Sequence, residues 1–148
     1  MKKLFLMVAF AIFSSFQQKA EACTGITLRT TNGSPVTART IEWAGNDLES
    51  RYTIVPRGYS QRSFTPSGEK DGMTFTSLYG YVGLSVEKAE FVVEGINEAG
   101  LAAGLFYFPS YGEYESYSED SRESSISDLQ LVSWILSNFK SIKKMKKA

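Results

Sequence analysis

The chain of 148 residues contains no histidine and a single cysteine, Cys23. The first absence removes imidazole, the usual general base near neutral pH and the commonest metal ligand. The second excludes an internal disulfide and any paired-cysteine metal or redox motif. There is no Walker loop, no dinucleotide-binding glycine fingerprint and no metal-ligand spacing. No apolar run approaches the ~20 residues that a membrane-spanning helix needs. Net charge is also missing, since 16 Lys and Arg offset 16 Asp and Glu. Any nucleophilic chemistry here must therefore use a base other than histidine.

What is present begins with a leader. Lys2 and Lys3 precede an apolar run from Leu4 to Phe13, and the segment ends Ala20-Glu21-Ala22. A charged head, a short hydrophobic stretch and a small-x-small site describe a cleavable signal peptide over residues 1–22. Cleavage after Ala22 makes Cys23 the first residue of the mature protein, in a periplasmic or secreted location. Its thiol and a free α-amine then share one residue. A cysteine thiol has a pKa of about 8.5 and an α-amine about 7.7–8.0. The amine can accept a proton near neutral pH, and an N-terminal nucleophile using its own amine as base is an established solution. Two alternatives stand beside this one. Cys23 can be an inert, small apolar residue. Or it can be acylated, anchoring an exported, non-catalytic β-rich envelope or binding protein; Ala20 and Glu21 match that processing signal poorly.

Residues 23–148 suffice for one domain with a core, and abundant aromatics argue against disorder. Lys140, Lys143, Lys144, Lys146 and Lys147 crowd the C-terminal end, behind an acidic body. Such a tail can indicate nucleic-acid binding. Export argues against that, so no nucleic acid and no stable membrane insertion are expected, and the tail reads as a solvated helix end.

Cys23 to Ile41 predicts a β-hairpin turning at Asn32-Gly33, the strongest short hairpin signal. A two-residue loop pairs Arg39 with Ile26 and turns it away from Cys23. A three-residue loop, Thr31-Asn32-Gly33 with a left-handed glycine, pairs Arg39 with Gly25 on the face of Cys23. One residue of slip exchanges the faces. Further strands are expected over 52–56, 73–79, 81–85 and 91–95, with loop over 61–72. Asn97-Glu98-Ala99-Gly100 reads as a turn in which Asn97 is structural. The length of Leu101 to Phe108 fits a buried strand, with a helix the alternative that periodicity alone leaves open, and 111–125 reads as an acidic loop. Ser125 is expected to cap a helix over 126–142 whose stripe is Ile126, Leu129, Val132, Ile135, Leu136 and Phe139. Strands followed by a helix predict an α+β fold with the helix on a sheet face.

Ala22-Cys23-Thr24, Ala38-Arg39-Thr40-Ile41-Glu42-Trp43, Val55-Pro56-Arg57-Gly58, Gly95-Ile96-Asn97-Glu98-Ala99-Gly100-Leu101 and Leu105-Phe106-Tyr107-Phe108-Pro109 stand in a familiar order and spacing. With them the chain resembles the choloylglycine hydrolases, the bile salt hydrolases and penicillin V acylases. These are N-terminal-nucleophile (Ntn) hydrolases of linear amide C–N bonds. The resemblance runs from Cys23 to about Phe139. It implies a four-layer αββα sandwich of antiparallel sheets, of which this chain carries the N-terminal part, since family members are more than twice as long. It implies Cys23 as nucleophile and Arg39 as the cation beside the thiol. Glu42 falls where the family usually has an aspartate near the amine, and Tyr107 where a backbone N–H serves the oxyanion hole. A second oxyanion donor and a further arginine belong to the half absent here, so activity of this short chain by itself does not follow. The implied substrate is a small N-acyl amide, with no metal or organic cofactor, and a homo-oligomer at full length is compatible with it. Tyr107, Phe106, Phe108 and Phe64 are candidates to line an acyl pocket.

Overall fold

Alternating residues on either side of Asn32-Gly33 form an antiparallel hairpin in the computed structural model of the chain, which describes residues 23–42, 48–107 and 111–147. The expected leader over 1–22, Trp43, Phe108 and Pro109 lie outside the described residues. Contacts group the chain into two units, residues 1–46 and 47–148. In the first, β1 (Gly25–Arg29) pairs with β2 (Pro35–Arg39), with Gly25 opposite Arg39 and Arg29 opposite Pro35. This is the three-residue alternative. The Thr30 N–H donates to the Ser34 carbonyl at 3.0 Å, and the Gly33 N–H to the Thr30 carbonyl at 2.9 Å. Gly33 has φ +85°, which closes the loop with the backbone twist of the strands and which glycine alone adopts without strain. The Asn32 carboxamide oxygen accepts the Ser34 N–H at 3.1 Å.

In the second unit, β3 (Ser50–Val55), β6 (Tyr81–Val86), β7 (Val92–Asn97) and β8 (Ala102–Gly104) form one antiparallel sheet in the order β3-β6-β7-β8. A smaller sheet pairs β4 (Ser60–Arg62) with β5 (Thr74–Thr76). Helix α1 (Leu131–Asn138) lies on β7 and β8. Antiparallel sheets with a helix on a sheet face make the fold α+β. Gly83 and Gly95 face each other across β6 and β7. A Cβ at Gly95 would stand 2.8 Å from a Leu136 methyl and 2.7 Å from the Val82 carbonyl. The missing side chain is what lets Leu136 reach the sheet. Around it Val55, Tyr81, Val92 and Val132 complete the core, with Ala103 and Leu105 packed against it.

The sheet's other face is apolar and open. Ile54, Val82 and Ile96 lie in one cross-strand row, and all three are exposed, as is Tyr52.

Five expectations need correction. The helix expected over 126–142 is three pieces: a 3-10 turn (Asp128–Gln130), α1, and the short α2 (Ile142–Met145). Asn97 explains the break. Its amide nitrogen donates to the carbonyls of Leu136 at 3.0 Å and Phe139 at 2.7 Å, and the Leu78 and Tyr79 N–H groups take the Ser137 carbonyl at 2.9 and 3.1 Å. With its last carbonyls satisfied from outside, α1 stops, and Phe139 turns extended. Those two amides are also why β5 ends at Thr76 and not near Tyr79. Ser125 does not cap this helix; it closes an earlier 3-10 turn (Glu119–Ser124) through its N–H to Arg122. The position before the next turn is taken by Ser127.

Of the expected stripe only Val132 and Leu136 are buried. The rest of the buried face is Gln130, Ser133 and Ser137. Each has its partner: Gln130 accepts from Ser63 at 3.1 Å and from the Phe64 N–H at 2.7 Å, Ser133 donates to the Glu90 carbonyl at 3.1 Å, and Ser137 meets Ser77 at 2.9 Å. Finally, Leu101 to Phe108 is not a buried strand. It gives the three-residue edge strand β8, with Phe106 and Tyr107 exposed beyond it. Leu101 is buried and Ala103 and Leu105 pack against the core, but the small residues and the edge position leave the rest of the segment open.

Asn97 is 4 % exposed and accepts from the Ala99 and Leu101 N–H groups at 3.1 and 3.0 Å as well. Asn97→Ala is expected to lower stability by about 3 kcal/mol, because several buried groups lose their partners together. Asn138→Ala, which removes one hydrogen bond to the Trp134 carbonyl, should cost less than about 1 kcal/mol. Urea unfolding midpoints compare the two; equal losses would refute the assigned role of Asn97.

Candidate active site

The register of the hairpin decides what lies near the thiol. The Thr40 N–H donates to the Thr24 carbonyl at 2.9 Å, and the Thr24 N–H to the Thr40 hydroxyl at 3.1 Å. The pairing therefore continues one step past the strands and brings Cys23 level with Ile41. Cys23, Gly25 and Arg39 then share a face, with Arg39 diagonal to Cys23. Ile26, Leu28, Val36 and Ala38 occupy the opposite face.

Cys23 is half-buried and makes no disulfide. Its thiol donates to the Glu42 backbone carbonyl at 3.7 Å, a separation usual for sulfur. Glu42 thus meets the thiol through its main chain, while the residue itself is exposed. Arg39 is half-buried, and its Nε–H donates to the Thr40 carbonyl at 3.2 Å, which restrains the guanidinium at this end of the hairpin. Three of the four candidate residues are so gathered within one unit. The fourth, Tyr107, belongs to the other unit, beyond the end of β8, and is 54 % exposed.

Of the aromatic residues expected to line an acyl pocket, Phe64 is in a concave setting. It borders a cleft of about 480 Å³ together with Tyr114, Tyr117, Ile126 and Asp128. Its ring meets Phe91 edge-on at 5.3 Å between centroids. The Lys88 ammonium lies 4.5 Å from the Phe64 ring centre and that of Lys70 at 5.2 Å, both within cation–π range. Lys70 also pairs with Glu90. Burial pushes the Glu90 carboxyl up. The hydrogen bond from Lys70, a backbone hydrogen bond and the charges of Lys70 and Lys88 outweigh it and hold the group below the ordinary carboxylate range. Sequence reasoning misses this cluster, because its members come from three separate segments with no shared spacing. It also misses Gln130, although a glutamine inside an apolar helical run is a visible signal of a buried polar contact. Among the described residues no three His, Cys, Asp or Glu gather to hold a metal ion.

A model of linear amide C–N hydrolases of the choloylglycine hydrolase family matches residues 23–148. The chain belongs to the choloylglycine hydrolase family. The matched segment opens on Cys23, and membership carries the reaction class, hydrolysis of linear amide C–N bonds. Comparison with curated proteins and with solved structures returned no match. In this choloylglycine hydrolase family chain, a half-buried cysteine and a half-buried arginine share one hairpin face.

Two outcomes are expected. Gly33→Val places a β-branched residue at positive φ, at a cost of about 1–3 kcal/mol. Amide exchange at Thr30 and Thr40 should then quicken about tenfold or more, that at Asn97 in the other unit staying unchanged. Unaltered exchange at Thr30 would show that the glycine does not hold the loop. For Glu90, a lowered folded pKa contributes stability above the unfolded carboxylate range, lost as pH falls through the folded value. Glu90→Gln should therefore be less stable than the parent near pH ~7, and the gap should close near pH ~3. A gap independent of pH, in denaturant titrations at both values, would contradict it.

Proposed function

We propose that this protein hydrolyses the amide bond of small N-acyl compounds, such as conjugated bile salts or penicillin V, with Cys23 as an N-terminal nucleophile. The observation that carries the reading is that the family match opens on Cys23 while the hairpin register sets Arg39 diagonal to it on the same face. In the uncleaved chain the nitrogen of Cys23 is a peptide nitrogen and cannot act as a base. Signal-peptide cleavage after Ala22, during export to the periplasm or beyond, releases the α-amine.

The steps then follow from the residues. The α-amine takes the thiol proton, and the thiolate attacks the amide carbon. The negative charge moves onto the carbonyl oxygen, where backbone N–H donors stabilise it, that of Tyr107 among them. The Arg39 cation polarises the substrate carbonyl. Glu42 orients the amine. The ammonium gives its proton to the leaving nitrogen, the C–N bond breaks, and an acyl thioester remains. Water attacks the thioester, its proton passes to the amine, and the thiol and a carboxylic acid are released. No cofactor takes part. The open apolar face with Tyr52, Ile54, Val82 and Ile96 supports a further β layer there, as in a four-layer αββα sandwich. Aromatic side chains such as Phe64 suit an apolar acyl group.

The test is made on the protein as its host exports it. Mass spectrometry should find Cys23 at the N-terminus with its amine unmodified, and release of glycine or taurine from conjugated bile salts, or opening of the penicillin V side-chain amide, should identify the substrate. Cys23→Ser should lower turnover at least about 100-fold, and Ala22→Asp, which keeps the amine in a peptide bond, should do the same. Turnover unchanged by either substitution would overturn the assignment. A diacylglycerol on the Cys23 sulfur would support a lipid-anchored protein in its place.

A further inference from the structure

From Leu129 to Lys147 the chain has no acidic residue, yet Lys140, Lys143, Lys144, Lys146 and Lys147 fall within its last part. All five are exposed, and none takes part in an ion pair among the described residues. The lysines surround the single turn of α2, which also carries Ile142, 59 % exposed, and the half-buried Met145. Like charges crowded on one turn repel each other, so the segment favours a partner that brings negative charge. We propose that residues 140–147 dock the protein peripherally on an anionic lipid surface.

Two features favour lipid over nucleic acid. An exposed Ile142 among the cations suits a headgroup layer, into which one apolar side chain can dip while the ammonium groups stay hydrated. Single-stranded nucleic acid is held by exposed aromatic platforms interleaved with the cations. Here the aromatics nearest in sequence, Trp134 and Phe139, pack edge to face on one another at 5.1 Å. The proposed attachment is by charge and is reversible, as its lysines and single exposed isoleucine imply. It is independent of the amide chemistry proposed for Cys23.

Co-sedimentation with vesicles tests it. The protein should pellet with vesicles containing phosphatidylglycerol and not with pure phosphatidylcholine. Binding should fade between about 0.1 M and 1 M salt, as the screening length shrinks from ~10 Å to ~3 Å. Each lysine near an anionic surface contributes about fivefold in partitioning, so the triple variant Lys143→Gln, Lys144→Gln, Lys147→Gln should bind roughly 100-fold less. A control lacking three cations elsewhere, Arg29→Gln, Arg51→Gln, Arg122→Gln, should keep most of its binding. Equal loss in both variants, binding to neutral vesicles, no binding at all, or tighter capture by a single-stranded oligonucleotide than by vesicles would each overturn the proposal.

Discussion

One buried carboxamide sets the geometry of the larger unit. Asn97 donates to two carbonyls at the end of α1 and accepts two N–H groups from the turn that leads into β8. All of its strong hydrogen-bonding capacity is used, in a setting where an unmade bond would be costly because water cannot replace it. The consequences spread from there. The helix must stop where the amide receives it, so its axis is tied to the end of β7. Leu136 is then held over Gly95, where the missing side chain lets its methyl approach the sheet backbone. The edge strand β8 inherits its start from the same turn, whose Gly100 has φ +82°.

This anchoring also explains the polar character of the helix face. A helix held by its end and by backbone contacts can lie close to the sheet, and closeness calls for small side chains. Ser133 and Ser137 meet that need, and their hydroxyls find partners in the Glu90 carbonyl and Ser77. Gln130 does the same at the other end by bonding the segment around Ser63 and Phe64. Specificity in this seam comes from hydrogen-bond matching more than from apolar volume. A seam of that kind tolerates little sliding, since a shift of one residue would strand buried polar groups.

Contacts of this kind are hard to read from sequence. Asn32-Gly33 announces the hairpin, since both residues act locally and the turn chemistry is contained in the motif. Strands β3, β6 and β7 are legible for the same reason: alternation and bounding turn residues are short-range signals. The helix is not, because its limits are set by groups distant in sequence. Nothing between Ile126 and Ile142 says that Asn97, Leu78 and Tyr79 will claim its carbonyls. Apolar periodicity therefore runs on through a break made by tertiary contacts. At the candidate site, Cys23 stands out by composition alone. Arg39 needs the loop length, which local sequence leaves at two alternatives. The Lys88, Phe64 and Phe91 cluster has no sequence signal, being assembled only by the fold.

The proposed chemistry depends on register in a way that the hairpin itself protects. Its two faces differ, with Ile26, Leu28, Val36 and Ala38 on one and Cys23, Thr27, Thr37 and Arg39 on the other. A slip by one residue would put a guanidinium among the apolar side chains and remove the cation from beside the thiol. Turn geometry and face composition thus select the same pairing, so the positioning of Arg39 does not rest on the loop alone. In the proposed mechanism the base needs little from the fold beyond Glu42. Thiol and amine belong to one residue, and covalent geometry keeps them within reach of each other. In a protein without imidazole, that arrangement would leave the fold two further things to supply. It must hold a cation near the sulfur, and it must offer N–H groups to the developing oxyanion. In the proposed mechanism, a hairpin end of fixed register would meet the first of these with very few residues.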